Sequence, residues 1–233
     1  MLFHAHFRIR KYCMNNLNIM QSIAIWTLPV LLAIIVHEVA HGWVANLLGD
    51  RTAAMLGRLT LNPFKHIDLV GTVIMPILCL LVGSFVFGWA KPVPINSRNF
   101  KNFRKDTALV AIAGPISNFL MAIMWAIFTK VAVILFHQVT LLPVIKLFFV
   151  HMGYAGISIN LLLMVLNLIP IPPLDGSRVV SSLLPAHLAK AYGYIEQYGF
   201  IILMILMYTS VLSAIMGPPL SWIQNILFDF FAL

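Results

Sequence analysis

Charge is what this sequence lacks. Only seven acidic residues occur in 233 positions, and charged residues of both signs make up 9% of the chain. Soluble domains carry about 25% charged residues and about 45–50% apolar ones. Here the hydrophobic share is 61% and the mean hydropathy is +0.95. A soluble globular enzyme does not fit this composition, and an integral membrane protein of several helices does. Cysteine is nearly absent as well. Cys13 and Cys79 are far apart and neither belongs to a Cys-x-x-Cys pair, so neither a disulfide framework nor a thiolate metal site is indicated. No internal repeat is visible, which argues against a transporter built from repeats.

Basic residues are more numerous, giving a formal net charge of +8. They flank apolar runs instead of lining one face, which is the positive-inside pattern of membrane proteins and not the footprint of a nucleic-acid binder. The cluster Lys91, Arg98, Lys101, Arg104 and Lys105 is the clearest orientation signal and belongs on the cytoplasmic side. The N-terminal basic stretch leads into an apolar run longer than the ~7–15 residues of a signal peptide, without a small-x-small cleavage site. It reads as a signal-anchor or first membrane helix.

Apolar runs cover residues 21–48, 69–89, 107–136, 148–170 and 192–216, with a shorter mixed one at 219–232. A spanning helix needs about 20 residues, so the first five qualify by length, and the last, carrying Asp229, reads as interfacial. The expected architecture is an all-α polytopic membrane protein with about 5–6 transmembrane helices. Short strand-like or re-entrant segments are expected between the first and third helices. "LGRLTLNP" (residues 56–63) alternates like a short strand before an Asn-Pro turn, and "KPVPIN" (residues 91–96) is held extended by its prolines. After "PIPPLDG" the chain reads as an amphipathic helix. One membrane-embedded domain, 1–233, is expected, with its core at about 25–190 and further C-terminal helices in 191–233.

Against so little charge, "IIVHEVAHGW" (residues 34–43) places two histidines and a glutamate inside an apolar run. Ionisable groups in a membrane span are costly and are functional candidates by default. On a helix, His37 and His41 lie one turn apart on one face and can grip one metal ion, while Glu38 can reach a metal-bound water. A catalytic zinc takes three protein ligands and keeps a position open for water, so a third must come from elsewhere. Asp175 stands apart among the acids, following "LNLIPIPPL" where prolines break a helix. It can point into a polar cavity or serve as the N-cap of "GSRVVSSLL", and the residues alone leave both open.

Together, "HEVAHGW", "AGPISN" (residues 113–118) and "NLIPIPPLDGSRVV" resemble the site-2 protease family of intramembrane zinc metalloproteases. "GRLTLNPFKHIDLVGT" and "FGWAKPVPIN" resemble one compact bacterial branch of it, without PDZ-like or CBS-like domains. The resemblance implies one zinc ion per chain, with His37, His41 and Asp175 as metal ligands and Glu38 as general base and acid. It makes Asn118 a catalytic cleft residue, donating to the oxyanion of the tetrahedral intermediate or engaged in interhelical hydrogen bonding. It also implies membrane-protein substrates, a lipid-bilayer setting and a bacterial inner (plasma) membrane location. It leaves the oligomeric state open. Gly114 and Pro115 would loosen their helix and let backbones approach. His66, in "FKHID", is either near the site or an exposed loop residue without a role. An extended substrate needs an edge to lie on, and "GRLTLNP" and "AKPVPIN" are the segments nominated for it.

Two other classes use similar residues. A metal-ion transporter would carry more intramembrane acids and repeat symmetry, and an inactive binding module would have lost a ligand or Glu38. The motifs also set a topological condition. His37, Asn118 and Asp175 must meet at one depth, so 69–89 either crosses the membrane, which its lack of charge favours, or is re-entrant.

Overall fold

The computed structural model describes residues 17–74, 90–137 and 143–233. The chain begins with α1 (Ile19–Leu47), started by a reciprocal cap in which the Gln21 N–H donates to Asn18 Oδ1 and the Asn18 N–H donates to Gln21 Oε1. Its end turns through Gly49, whose φ of 111° suits glycine, into the short α2 (Thr52–Met55). Single turns at Pro63–Lys65, Leu69–Ile74 and Ser97–Asn99 precede α3 (Phe103–His137). Asn102 and Asp106 cap α3 by the same reciprocal device, through the Lys105 and Asn102 N–H groups. Then follow α4 (Pro143–Leu168), α5 (Asp175–Leu183), α6 (Ala186–Glu196), α7 (Gly199–Tyr208) and α8 (Val211–Phe231).

Helices α1, α3 and α4 pack against one another, α5 lies mainly on α3, and α8 covers α4 and α3. Small residues permit the tightest approach. A Cβ at Gly156 would fall 2.2 Å from the Trp125 ring, and one at Gly153 would fall 2.1 Å from Thr129 Oγ1, so α3 and α4 touch nearly backbone to side-chain base. The core is apolar around Trp125, Ile157 and Leu161. Many large apolar side chains on the outer faces of α1, α3 and α8, such as Leu28, Leu120 and Trp222, are exposed. Lipid is the solvent that fits such a surface.

The all-helical expectation holds, and among the described residues four helices are long and apolar enough to span a membrane: Ile19–Leu47, Phe103–Phe136, Ile145–Leu168 and Val211–Phe231. Three expectations change. The run 192–216 is not one span, because the chain breaks at Thr209 and at Ser210, which adopts a left-handed φ of 60°. What spans instead is α8, which absorbs 219–232, the segment expected to lie in the interface. The strand expected at "LGRLTLNP" does not form, and no strand occurs among the described residues. Local side chains take the backbone groups a ladder would use: Thr60 Oγ1 accepts from the Asn62 N–H, and Asn62 Oδ1 accepts from the Phe64 N–H. "KPVPIN" forms neither helix nor strand, and Asn96 at its end is extended. The crossing of 69–89 falls largely outside the described residues.

Candidate metal centre

Asp175 owes its position to a failed helix. Pro170, Pro172 and Pro173 have no N–H to give, so α4 ends at Leu168 and cannot resume until Leu174. The first turn of α5 then stacks on the open carbonyl end of α4. A Cβ at Gly176 would lie 2.4 Å from the Leu168 carbonyl oxygen, so only glycine allows that stacking. Asp175 is the first residue inside α5, and the N-cap is Leu174. Its Oδ2 turns instead to the histidines, 3.2 Å from His37 Nε2 and 3.2 Å from His41 Nε2.

The two imidazoles meet edge to face with their Nε2 atoms 3.0 Å apart. Their other nitrogens settle which atoms carry hydrogen. His41 Nδ1 lies 2.7 Å from the Val110 carbonyl oxygen, which can only accept. His37 Nδ1 lies 2.7 Å from Asn118 Oδ1. The Asn118 amide nitrogen donates to the Ala33 carbonyl and to Asn160 Oδ1, so the atom facing His37 is an acceptor too. Both Nδ1 atoms therefore carry hydrogen, and in the neutral imidazoles, the form that binds a metal, both Nε2 lone pairs point inward.

Two nitrogen lone pairs and a carboxylate oxygen thus converge, and Asp175 Oδ2 is buried with no hydrogen-bond donor. Three acceptors at this range repel one another unless a cation lies between them. Ligands of a tetrahedral zinc, each about 2.0–2.1 Å from the metal, stand roughly 3.3 Å apart. The observed 3.0, 3.2 and 3.2 Å match that triangle. His37, His41 and Asp175 are also the one His/Cys/Asp/Glu group with metal-binding spacing among the described residues. The residues present fit zinc.

Helix α3 builds the second layer from one face. Val110, Gly114 and Asn118 recur every fourth residue. Val110 and Asn118 orient the two imidazoles, and Gly114 leaves them room, since its Cβ would lie 2.4 Å from His41 Nε2. Asn118 is fully buried with both amide hydrogens engaged and its oxygen facing His37. In this arrangement it has no hydrogen left for an oxyanion. Asn160, unnoticed in the sequence, backs it from α4 and donates in turn to the Gly156 carbonyl.

A match covering most of the chain decides the family. The protein named "Putative zinc metalloprotease YwhC" of Bacillus subtilis is 38% identical over 194 residues, which is 83% of this chain and 84% of that protein. The family model for Peptidase family M50 matches residues 132–208, a stretch that includes Asp175. This chain belongs to peptidase family M50. The resemblance to the site-2 proteases drawn from the motifs is borne out. More distant relatives include two proteins named "Putative zinc metalloprotease Rip2". The one from Mycolicibacterium smegmatis is 26% identical over 78% of this chain and 66% of its own length. The one from Mycobacterium tuberculosis H37Rv is 26% identical over 84% of this chain and 71% of its own length. No solved structure gives a significant match. With its apolar helices, this M50 chain is an integral membrane protein.

Glu38 lies one position along from His37 and looks toward the segment 90–96. Its Oε2 accepts from the Val93 N–H at 2.8 Å, and its Oε1 carries no hydrogen bond among the described residues. The same segment proves a poor edge for strand addition. The N–H groups of Lys91, Val93 and Asn96 are taken by His66, Glu38 and Asp50, and Pro92 and Pro94 have none. A substrate strand would find two free donors there, Ala90 and Ile95, among the described residues. Residues 57–63 form no edge either. His66 is not an exposed loop residue. It is buried, its Nε2 meets the Thr60 carbonyl, and it stitches these loops together without reaching the triad.

Proposed function

We propose that this M50 chain is an intramembrane zinc metalloendopeptidase that cuts peptide bonds in or near transmembrane segments of membrane proteins. One zinc ion would sit on His37, His41 and Asp175, with Glu38 as general base and then general acid. The observation that carries the reading is the convergence of two imidazole nitrogens and a carboxylate oxygen, 3.0–3.2 Å apart, inside a helical bundle of apolar exterior. The bacterial plasma membrane is the proposed location, with the basic residues between Lys91 and Lys105 on its cytoplasmic face.

When bound, zinc supplies a Lewis acid that polarises the scissile carbonyl and lowers the pKa of attacking water toward about 7. The chain's own residues do the rest. Asn118 and the Val110 carbonyl keep both imidazoles in the tautomer that offers Nε2. Glu38 accepts one proton from the water as its oxygen bonds to the carbonyl carbon. It returns that proton to the amide nitrogen as the carbon–nitrogen bond breaks. A substrate helix satisfies its own backbone in lipid, so it must unwind locally before this happens.

Two measurements test the reading. Protein purified in detergent should hold one zinc per chain and cleave a reporter containing a transmembrane segment. A strong chelator should abolish cleavage and one equivalent of zinc should restore it. Cleavage that survives complete metal removal would overturn the proposal.

Asn118→Leu tests the second layer, because leucine keeps the branched outline of the side chain and removes the amide. As an orienting partner of His37, Asn118 is worth about 10–100-fold in metal affinity. We therefore expect Asn118→Leu to lose zinc to a competing chelator about 10–100-fold more readily than wild type. A variant that keeps wild-type zinc affinity but loses kcat would restore the oxyanion role instead.

A further inference from the structure

We propose that the backbone N–H of Val93 is a positioning group for the general base, presented to Glu38 by a strap, residues 90–96, that Asp50 and Arg58 hold down. The proposal rests on the assignment of Glu38 as base and deepens it.

The strap joins to α1 at one point of chemical consequence. The Val93 N–H donates to Glu38 Oε2 across 55 positions of sequence. Glu38 and Gly42 share a helix face, being four residues apart. Gly42 clears that face: a Cβ there would lie 2.6 Å from Val93 Cγ1 and 2.7 Å from Leu59 Cδ2. A larger residue there would press on the side chains of Val93 and Leu59.

The strap's two ends are fastened independently. At one end, the Lys91 N–H donates to the His66 carbonyl at 2.8 Å, and Arg58 Nη2 donates to the Lys91 and Pro92 carbonyls at 3.0 and 3.3 Å. At the other, Asp50 Oδ2 accepts from the Asn96 N–H at 2.7 Å and Asp50 Oδ1 accepts from Asn99 Nδ2 at 2.8 Å. Asp50 is fully buried and also takes the Thr52 N–H and hydroxyl, which ties both loops to the end of α1. Burial works against its charge, but these donors outweigh burial and hold its carboxyl below the usual carboxylate range. Asp50 and Arg58 are among the few buried charged residues of the chain, and neither touches the metal triad. Their work is to place the strap.

A glutamate side chain has three rotatable bonds, and a base must be held where the proton will be taken. Fixing Oε2 through a backbone N–H orients the whole carboxylate and leaves Oε1 for the water. Because residues 92 and 94 are prolines, Val93 supplies the only N–H between Lys91 and Ile95, so the strap has one donor to aim.

The sequence allows a clean test. Val93→Pro deletes the N–H at a position already flanked by prolines. Val93→Ala keeps the N–H and removes only side-chain packing. In the zinc-loaded protein, with a transmembrane reporter, we expect Val93→Pro to lower kcat about 100-fold, the scale of a 1 Å misplacement. KM and zinc retention should match wild type. Val93→Ala should keep a kcat about tenfold or more above that of Val93→Pro. Equal losses in the two variants would reduce the contact to packing and overturn the proposal. So would a rise in kcat for Val93→Pro, which would make the contact an inhibitory latch. If Val93→Pro does not fold, Asp50→Asn replaces it. That variant keeps Oδ1 but sets an NH2 against the Asn96 N–H, and it should lower kcat with zinc unchanged. A wild-type kcat there would count against the proposal. Hydrogen exchange gives a readout independent of turnover: the Val93 amide should be protected in wild type and exchange faster in Glu38→Ala. Equal exchange would refute the contact itself, whereas a wild type without metal-dependent cleavage would refute the protease reading.

Discussion

Replacing Glu38 by glutamine should slow peptide hydrolysis severely while leaving the fold and the metal site in place. The two side chains have the same shape. Glutamine keeps an oxygen for the Val93 N–H, so the strap loses no acceptor. What glutamine cannot do is take a proton from water and give it to the leaving amine. General acid–base catalysis contributes about 10²–10⁴-fold, so kcat should fall by about that factor. Zinc content and thermal stability should match wild type. Zinc measured by mass spectrometry beside cleavage of a transmembrane reporter checks both halves. If Glu38→Gln cuts at the wild-type rate, Glu38 is not the base and the proposed chemistry fails. If the variant loses its zinc, the carboxylate is serving the metal site and not the water.

The parts of this centre that follow local spacing were legible in the sequence. His37 and His41 recur at one helical turn within an apolar run, and a run of prolines marks the break between α4 and α5 that Asp175 follows. Asn118 was legible as a residue and not as a role. Donation to an oxyanion or acceptance from an imidazole depends on which end of the amide faces the metal, and that is fixed by Ala33 and Asn160 on two other helices. The contact between Val93 and Glu38 joins segments 55 residues apart and has no local signature. The false strand at 56–63 has a different cause. Its alternation of apolar and polar residues is real, but it wraps the end of α1 and its polar groups serve the loops around it, Arg58 reaching across to the strap. A ladder needs free backbone groups as well as alternation. The C-terminal spans were misphased for a related reason. The left-handed turn at Ser210 interrupts a stretch whose composition gives no warning.

Gly114→Ala should cost the protein its metal more than its fold. From sequence, Gly114 reads as a place where two helix backbones approach. The structure puts imidazoles there instead. An alanine Cβ would fall 2.4 Å from His41 Nε2, 2.5 Å from His37 Cε1 and 2.6 Å from His41 Cε1. Carbon and nitrogen atoms not bonded to one another settle at about 3.5 Å or more, so something must yield by about 1 Å. The imidazoles are ends of side chains and yield more easily than α3. Rotating them breaks the hydrogen bonds to Val110 and Asn118 and scatters the inward lone pairs. Helix α3 itself gains, since alanine is favoured over glycine inside a helix by about 1 kcal/mol. We expect metal affinity to fall at least about 100-fold, the upper range for disturbed second-layer partners, and cleavage to be lost with it. Thermal unfolding separates the effects. A bound metal stabilises the native state by mass action, so a chelator should lower the Tm of the wild type. The same chelator should leave the Tm of Gly114→Ala unchanged. Stoichiometric, chelator-resistant zinc in that variant would show that the space beside Gly114 is not needed by the metal centre, and the tight face built by Val110, Gly114 and Asn118 would lose its explanation.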